Sequence, residues 1–247
     1  MKNANTDFRL IDIQDDFIVV HKSANVNFHD EDDLGQGLFN QVKKQLACPN
    51  LYPVHRLDKM TSGLVIFAKT LACAQEFQQL FSQHLIEKYY LAISDKKPKK
   101  KQGLIKGDME KSRRGSWKLL RSMKNPAISQ FFSYTLPRAG NTADTGKSTQ
   151  GHRLYLIKPH SGKTHQIRVA LSSIGAPIVG DAYYYPDQKS TDIDRGYLHA
   201  YAIKFQLNQK SYQYICQPDE GTLFTAAEST ELIETLNSPW LLSWPKI

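Results

Sequence analysis

Residues 54–67 read VHRLDKMTSGLVIF. The apolar run Leu64–Phe67 has the length and composition of a buried strand, and the turn Thr61-Ser62-Gly63 leads into it. Just ahead of that turn, His55 and Arg56 crowd the Asp58 carboxylate. A carboxylate kept ionised by basic neighbours at the mouth of a buried strand is a candidate nucleophile or base. An Asp in a polar turn also serves simply to accept hydrogen bonds from nearby backbone amides. Local chemistry leaves both readings open.

On either side of this stretch the chain alternates short strands with a few helices. FIVVHK (17–22) reads as a strand. Leu34, Leu38, Phe39, Val42 and Leu46 recur at helical spacing, predicting a helix over 34–46. Thr70 has the chemistry of an N-cap for a helix over 71–86, whose Ala74, Phe77, Phe81 and Leu85 share a face. Strands are predicted at 89–93, 104–107, 117–121, 129–136, 152–158, 198–207 and 212–216. A helix over 164–174, with Thr164 as N-cap, closes on Gly175, and a last helix runs over about 225–237. Strands without a βαβ rhythm predict an α+β fold with a mixed, mostly antiparallel sheet and flanking helices. One domain spanning 1–247 is expected, with its core at about 11–224 and a helical extension over about 225–247.

Charge is concentrated rather than spread. The 247 residues carry a formal net charge of +8. Residues 96–124 alone hold twelve Lys or Arg against Asp108 and Glu110, so the remainder sums to about −2. KKPKKKQG (96–103) is too polar to pack and reads as a solvated loop. A local basic segment is the electrostatic footprint expected for a nucleic-acid partner. Lys97, Lys99, Lys100, Lys101, Arg113 and Arg114 are its candidate backbone contacts. Trp117, Phe131 and Phe132 are aromatic enough to stack on unpaired bases, although core packing suits the phenylalanines. Cys48, Cys73 and Cys216 have no disulfide or zinc spacing, and no apolar run reaches membrane-spanning length. A cytoplasmic location follows by default.

Two tempting motifs fail. Ser161-Gly162-Lys163-Thr164 lacks the glycine a phosphate loop requires, since that position is Ile157. His152, His160 and His165 have no acidic partner at ligand spacing, so no metal site is predicted. In EKYYLAI (87–93), strand alternation sends Tyr89 and Tyr90 to opposite faces, so only one of them lines a cleft.

The stretch HRLDKMTSGLVIFAKT closely resembles the central motif of the RluA-type pseudouridine synthases. EKYYLAI, SGKTHQIRVALSSIGAPIVGDAYYY (161–185) and LHAYAIKF (198–205) resemble the same family in the same order. The resemblance spans about 11–224 and implies a mixed sheet with a central RNA-binding cleft. It implies Asp58 as the catalytic carboxylate, Tyr90 as the active-site tyrosine and Arg168 as the basic residue that pairs with Asp58. It implies Arg56 as the arginine that enters the RNA stack when the target base leaves. His55 is assigned to the same RNA-facing loop, which it orients without proton chemistry, and Lys163 lies near the RNA. Asp181 is read as a structural turn residue. The small RNA-binding module that precedes the catalytic domain of some relatives is not expected here. The sequence departs from the family where Lys-Pro-Ala-Gly and His-Pro are common, reading Lys22-Ser23-Ala24-Asn25 and His29-Asp30.

The implied reaction converts a uridine of rRNA or tRNA to pseudouridine. The uracil leaves C1′ through N1 and rejoins through C5, with no redox change, so no cofactor is expected. The RNA is the only partner expected, and the protein is expected to act as a monomer. A non-catalytic RNA-binding or ribosome-assembly protein on the same fold is the alternative. An RNA glycosylase is disfavoured, because the motifs supply no second carboxylate.

Overall fold

The computed structural model describes residues 7–30, 34–136, 151–188 and 193–247. In chain order the elements begin with β1 (Phe8–Ile13), β2 (Phe17–Lys22), α1 (Leu38–Gln45), β3 (Tyr52–Pro53), β4 (Ser62–Ala68) and α2 (Leu71–Ser82). Next come β5 (Glu87–Ser94), β6 (Gln102–Gly107), β7 (Met109–Lys111), β8 (Trp117–Leu119), β9 (Ala127–Thr135) and β10 (Arg153–Pro159). The chain ends with α3 (Gln166–Ser173), β11 (Leu198–Leu207), β12 (Lys210–Ile215), α4 (Thr222–Thr225) and α5 (Ala227–Glu234). They group into two compact units, one of residues up to Ile86 with His199–Pro218, the other of Glu87–Leu198 with Asp219–Ile247.

In the first unit β2 and β4 are buried along their whole lengths, and their apolar stretches, 17–20 and 64–68, account for most of that burial. They pair antiparallel from Phe17 with Ala68 to Lys22 with Gly63. β1 pairs antiparallel with β2 through a bulge at Leu10–Asp12. β11 joins β4 in parallel at Ser62 and Gly63. A Cβ on Gly63, whose φ is +109°, would stand 2.3 Å from the Ala200 carbonyl oxygen, so only glycine lets the strands approach here. β11 and β12 form a hairpin whose turn residues, Asn208 and Gln209, are both left-handed, at φ 49° and 62°. α2 covers the core through Phe77, which meets Phe17 and Phe205 edge-on at 5.7 and 5.3 Å. Thr70 caps α2, its hydroxyl accepting the Cys73 amide at 3.1 Å.

α1 begins at Leu38, later than the apolar spacing predicts, and Leu34 is 93% exposed. The Asp30 carboxylate accepts the Gly35 and Gly37 amides at 2.7 Å each and the Asn40 side chain at 2.8 Å, which organises the approach to the helix. These backbone hydrogen bonds hold the Asp30 carboxyl below its usual range. Asn25, where the family commonly has glycine, takes φ 63°, a left-handed conformation that asparagine tolerates. At this one position the backbone accommodates the departure.

In the second unit β5, β10, β9 and β6 form an antiparallel array in that order. β7 and β8 make a separate hairpin, and β7 is too short to read from periodicity. The terminal helix predicted over about 225–237 is α5, and extended Ala226, at ψ 142°, separates it from the short α4 before it. Beyond α5, Trp244 packs on Tyr89 and Phe132, with ring centroids at 5.7 and 4.9 Å. Phe131 is buried, so both phenylalanines are packing residues.

α3 begins at Gln166 rather than Thr164. His165 turns left-handed, at φ 57°, and supplies no side-chain cap. Gln166 satisfies the helix entrance from inside the helix. Its Oε1 accepts the Lys163 amide at 3.2 Å and the Ser161 hydroxyl at 2.7 Å, while its Nε2 donates to the Ile128 carbonyl and Ser129 hydroxyl at 3.0 Å each. Gly175, at φ 74°, closes the helix as predicted. Among the described residues no helix is long and apolar enough to cross a membrane.

Candidate functional site

Of the predicted residues, His55, Arg56 and Asp58 belong to the first unit. Tyr90, Arg168, Lys163 and the basic segment belong to the second.

Asp58 is half-buried in the irregular segment between β3 and β4, and its carbonyl accepts the Thr61 amide at 3.0 Å to close a turn. Arg56 is exposed, while the next residue, Leu57, is buried and anchors the segment. His55 does not act as a cation here. Its Nε2 accepts the Ile66 amide at 3.0 Å, so this nitrogen carries no proton and the imidazole substitutes for a carbonyl at the edge of β4. The sequence reading of His55 as a charge crowding Asp58 is corrected by that geometry.

Two supports of this segment were not foreseen. Lys22, wholly shut from solvent, donates its ammonium to the carbonyls of Ser23 at 2.9 Å and Lys59 at 3.1 Å. It therefore holds the residue that follows Asp58. The Ser62 hydroxyl lies 2.7 Å from His199 Nδ1, and His199 Nε2 lies 2.8 Å from the Cys216 carbonyl oxygen. A carbonyl only accepts, so Nε2 carries a proton, and with a neutral imidazole Ser62 donates to Nδ1. Ser62 and His199 are both fully buried, so this serine fixes the start of β4 rather than meeting a substrate. The only signal for Lys22 in the sequence is a lysine closing an apolar run.

In the second unit, strand alternation separates the two tyrosines as expected. Tyr89 is fully buried against Trp244, and its hydroxyl donates to Glu87 at 2.6 Å. Tyr90 is half-buried and shares its face with Lys88. Lys88 donates to the Ser161 carbonyl at 3.3 Å, and burial pushes its ammonium down to about 8.

Arg168 is 4% exposed and Asp181 1% exposed. Asp181 grips the guanidinium in a bidentate pair, Oδ2 accepting from Nε at 2.7 Å and Oδ1 from Nη2 at 2.8 Å. Oδ1 also accepts the amides of Tyr183 at 3.0 Å and Tyr184 at 3.3 Å. The rings of Tyr183 and Tyr184 lie 5.4 and 5.2 Å from the guanidinium carbon. Asp181, read from sequence as a turn residue, is thus the anchor of Arg168. The Tyr184 hydroxyl accepts the Trp117 amide at 2.9 Å and lies 2.9 Å from His165 Nδ1, tying β8 to the start of α3.

Lys97, Lys99, Lys100 and Lys101 are exposed, as are Arg113 and Arg114 at the tip of the β7–β8 hairpin. The neck of that hairpin is closed by Asp108, whose carboxylate accepts the amides of Lys124 at 3.0 Å and Asn125 at 2.8 Å. Lys163 donates to the Asn125 carbonyl, so its ammonium lies against the same neck.

The family model described as RNA pseudouridylate synthase matches residues 16–173. A Haemophilus influenzae protein named as an uncharacterized RNA pseudouridine synthase is 44% identical over 227 residues, covering 92% of this chain and 95% of the relative. A Rickettsia bellii protein named ribosomal large subunit pseudouridine synthase C is 33% identical over 149 residues, covering 60% of this chain and 46% of that one. Among solved structures, human RNA pseudouridylate synthase domain containing 1 aligns with a TM-score of 0.69 at 22% identity, covering 89% of this chain and 86% of the other. That likeness is one of fold.

Proposed function

We infer that this chain, which belongs to the RNA pseudouridylate synthase family, isomerises a chosen uridine of rRNA or tRNA through the carboxylate of Asp58. Tyr90 and Arg168 complete the catalytic set in this reading. Asp58 either attacks ribose C1′, breaking the bond to N1, or takes a proton from C2′ to leave a glycal. In the first route C5 of the turned uracil displaces Asp58 from C1′; in the second C5 bonds C1′ of the glycal and C2′ regains its proton. In both, C5 gives up its proton and N1 takes one up. The bonds exchanged are carbon–nitrogen for carbon–carbon within one nucleotide, so the sequence of steps needs no oxidant or reductant. Arg168 supplies the positive charge of that set. Tyr90 stacks on the uracil or takes the proton from C5.

The state of Arg168 is the observation that supports this reading. An arginine needed only for solubility would not be withdrawn from water and gripped at two nitrogens. The pair with Asp181 fixes two of the guanidinium nitrogens, so the orientation of Arg168 is set. Catalytic groups work when held in one geometry before the substrate arrives.

The substrate must also be unstacked, at a cost of a few kcal/mol. The exposed lysines and arginines of residues 96–124 offset that cost by contacting phosphates. Mapping pseudouridines in total RNA from cells with and without the gene tests the reading. A uridine modified only when the gene is present, and modified in a transcript by the purified protein, is the expected result. Identical maps would overturn it.

A further inference from the structure

Tyr183 is 53% exposed, although it sits next to the enclosed ion pair of Arg168 and Asp181. Its backbone amide is fixed on Asp181, and its ring lies 5.4 Å from the Arg168 guanidinium carbon and 5.7 Å from the His165 ring. One side of the tyrosine is therefore immobilised while a large part of its surface remains in solvent. The hairpin tip comes close to that surface. A Cβ on Gly115 would stand 3.9 Å from the edge of the Tyr183 ring. Gly115 follows Arg113 and Arg114, both exposed, and the successive left-handed residues Arg114 and Gly115, at φ 53° and 76°, turn the backbone sharply there.

A rigid, exposed aromatic beside paired arginines is the arrangement by which proteins hold unpaired nucleotides. The ring takes the base face and the cations take the phosphate. We propose that Tyr183 is a stacking platform for an unpaired nucleobase of the bound RNA, with Arg113 and Arg114 holding the phosphate of that nucleotide. The inference rests on the reading above that the partner is RNA. It adds a subsite outside Asp58, Tyr90 and Arg168, one that selects RNA carrying a single-stranded base near the target.

The competing role for Tyr183 is as an apolar cover over Arg168, and the two roles separate by substitution. Fluorescein-labelled single-stranded RNA and an RNA duplex would be titrated against Y183F, Y183W, Y183L and Y183A. Stacking predicts that Phe and Trp stay within about twofold of the native protein on single strands. Leu and Ala should weaken by roughly 5- to 150-fold, the range that loss of one stacked base spans, with duplex affinity unmoved. A cover role predicts that Leu matches Phe, and that result would overturn the proposal. Irradiation of the native protein with single-stranded RNA containing 5-iodouridine needs no variant. A cross-link on the peptide bearing Tyr183 is expected, and cross-links confined to other peptides would overturn the proposal. Failure of the isomerase reading would show instead as unchanged pseudouridine maps, with these binding results standing on their own.

Discussion

Asp181 holds Arg168 by two parallel hydrogen bonds, at 2.7 and 2.8 Å, with no exposed surface on the carboxylate side chain. Breaking such a pair leaves a buried charge without its counter-charge, which costs about 3–5 kcal/mol. D181N should therefore lose stability in urea titrations and lose most isomerase activity. The double variant R168M/D181L, which removes both charges, should recover much of the stability and none of the activity. Arg168→Lys should restore only part of the activity, because a point charge cannot span both carboxylate oxygens. Full activity in R168K would show that the two-point grip of Asp181 is not needed for catalysis.

Asp58→Asn should abolish tritium release from RNA carrying 5-tritiated uridine while RNA affinity changes little. The amide has the shape of the carboxylate and neither its nucleophilicity nor its basicity. Activity within about tenfold of the native protein would take Asp58 out of the chemistry, since loss of the attacking group costs far more. Tyr90→Phe should retain more activity than Tyr90→Ala if stacking dominates, and the reverse order would point to the hydroxyl.

Neutralising Lys97, Lys99, Lys100 and Lys101 together should weaken RNA binding and flatten its salt dependence. Every lysine–phosphate pair removed should reduce the slope of log affinity against log salt by roughly 0.7–0.9. Titrations from about 50 to 200 mM salt span the useful range. An unchanged slope would move the footprint away from this loop, onto Lys158, Lys163 and their neighbours.

Lys88 makes a pH-dependent contribution of definite sign. Burial lowers its ammonium to about 8 in the folded protein, against an ordinary value of 10.5. Between those values the unfolded chain binds more protons, so the contribution of Lys88 to stability rises with pH across that window. Urea midpoints of the native protein minus those of Lys88→Met should climb from about pH 8 to 10, where lysine titrates. A flat difference would mean that the ammonium is hydrated.

The parts of the fold legible in sequence were those decided locally. FIVV and LVIF are unbroken apolar runs and lie within the fully buried β2 and β4. Thr70 and Gly175 carried cap chemistry and took up those positions. Thr164 carried it too, but the start of α3 is decided by Gln166 reaching across to Ile128 and Ser129 on β9. No local pattern encodes that contact. Leu34 fitted the helical spacing, yet Asp30 claims the amides of Gly35 and Gly37 and moves the helix start to Leu38. The candidate site divides in the same way. Residue type alone marked Arg168 as a cation and His55 as a base. Their actual states, one anchored by Asp181 and the other accepting from Ile66, depend on partners further along the chain.

The buried lysine of β2 makes the turn beyond Asp58 readable by chemical labelling. An amine-acylating reagent reaches only ammonium groups that meet solvent, and Lys22 meets none while its hydrogen bonds to Ser23 and Lys59 hold. Exposed Lys97, Lys99 and Lys100 should be modified at once and Lys22 last. Its acylation, followed by peptide mass, becomes a clock for the opening of one turn in an otherwise folded protein. If bound RNA steadies the Asp58 segment, that clock should slow.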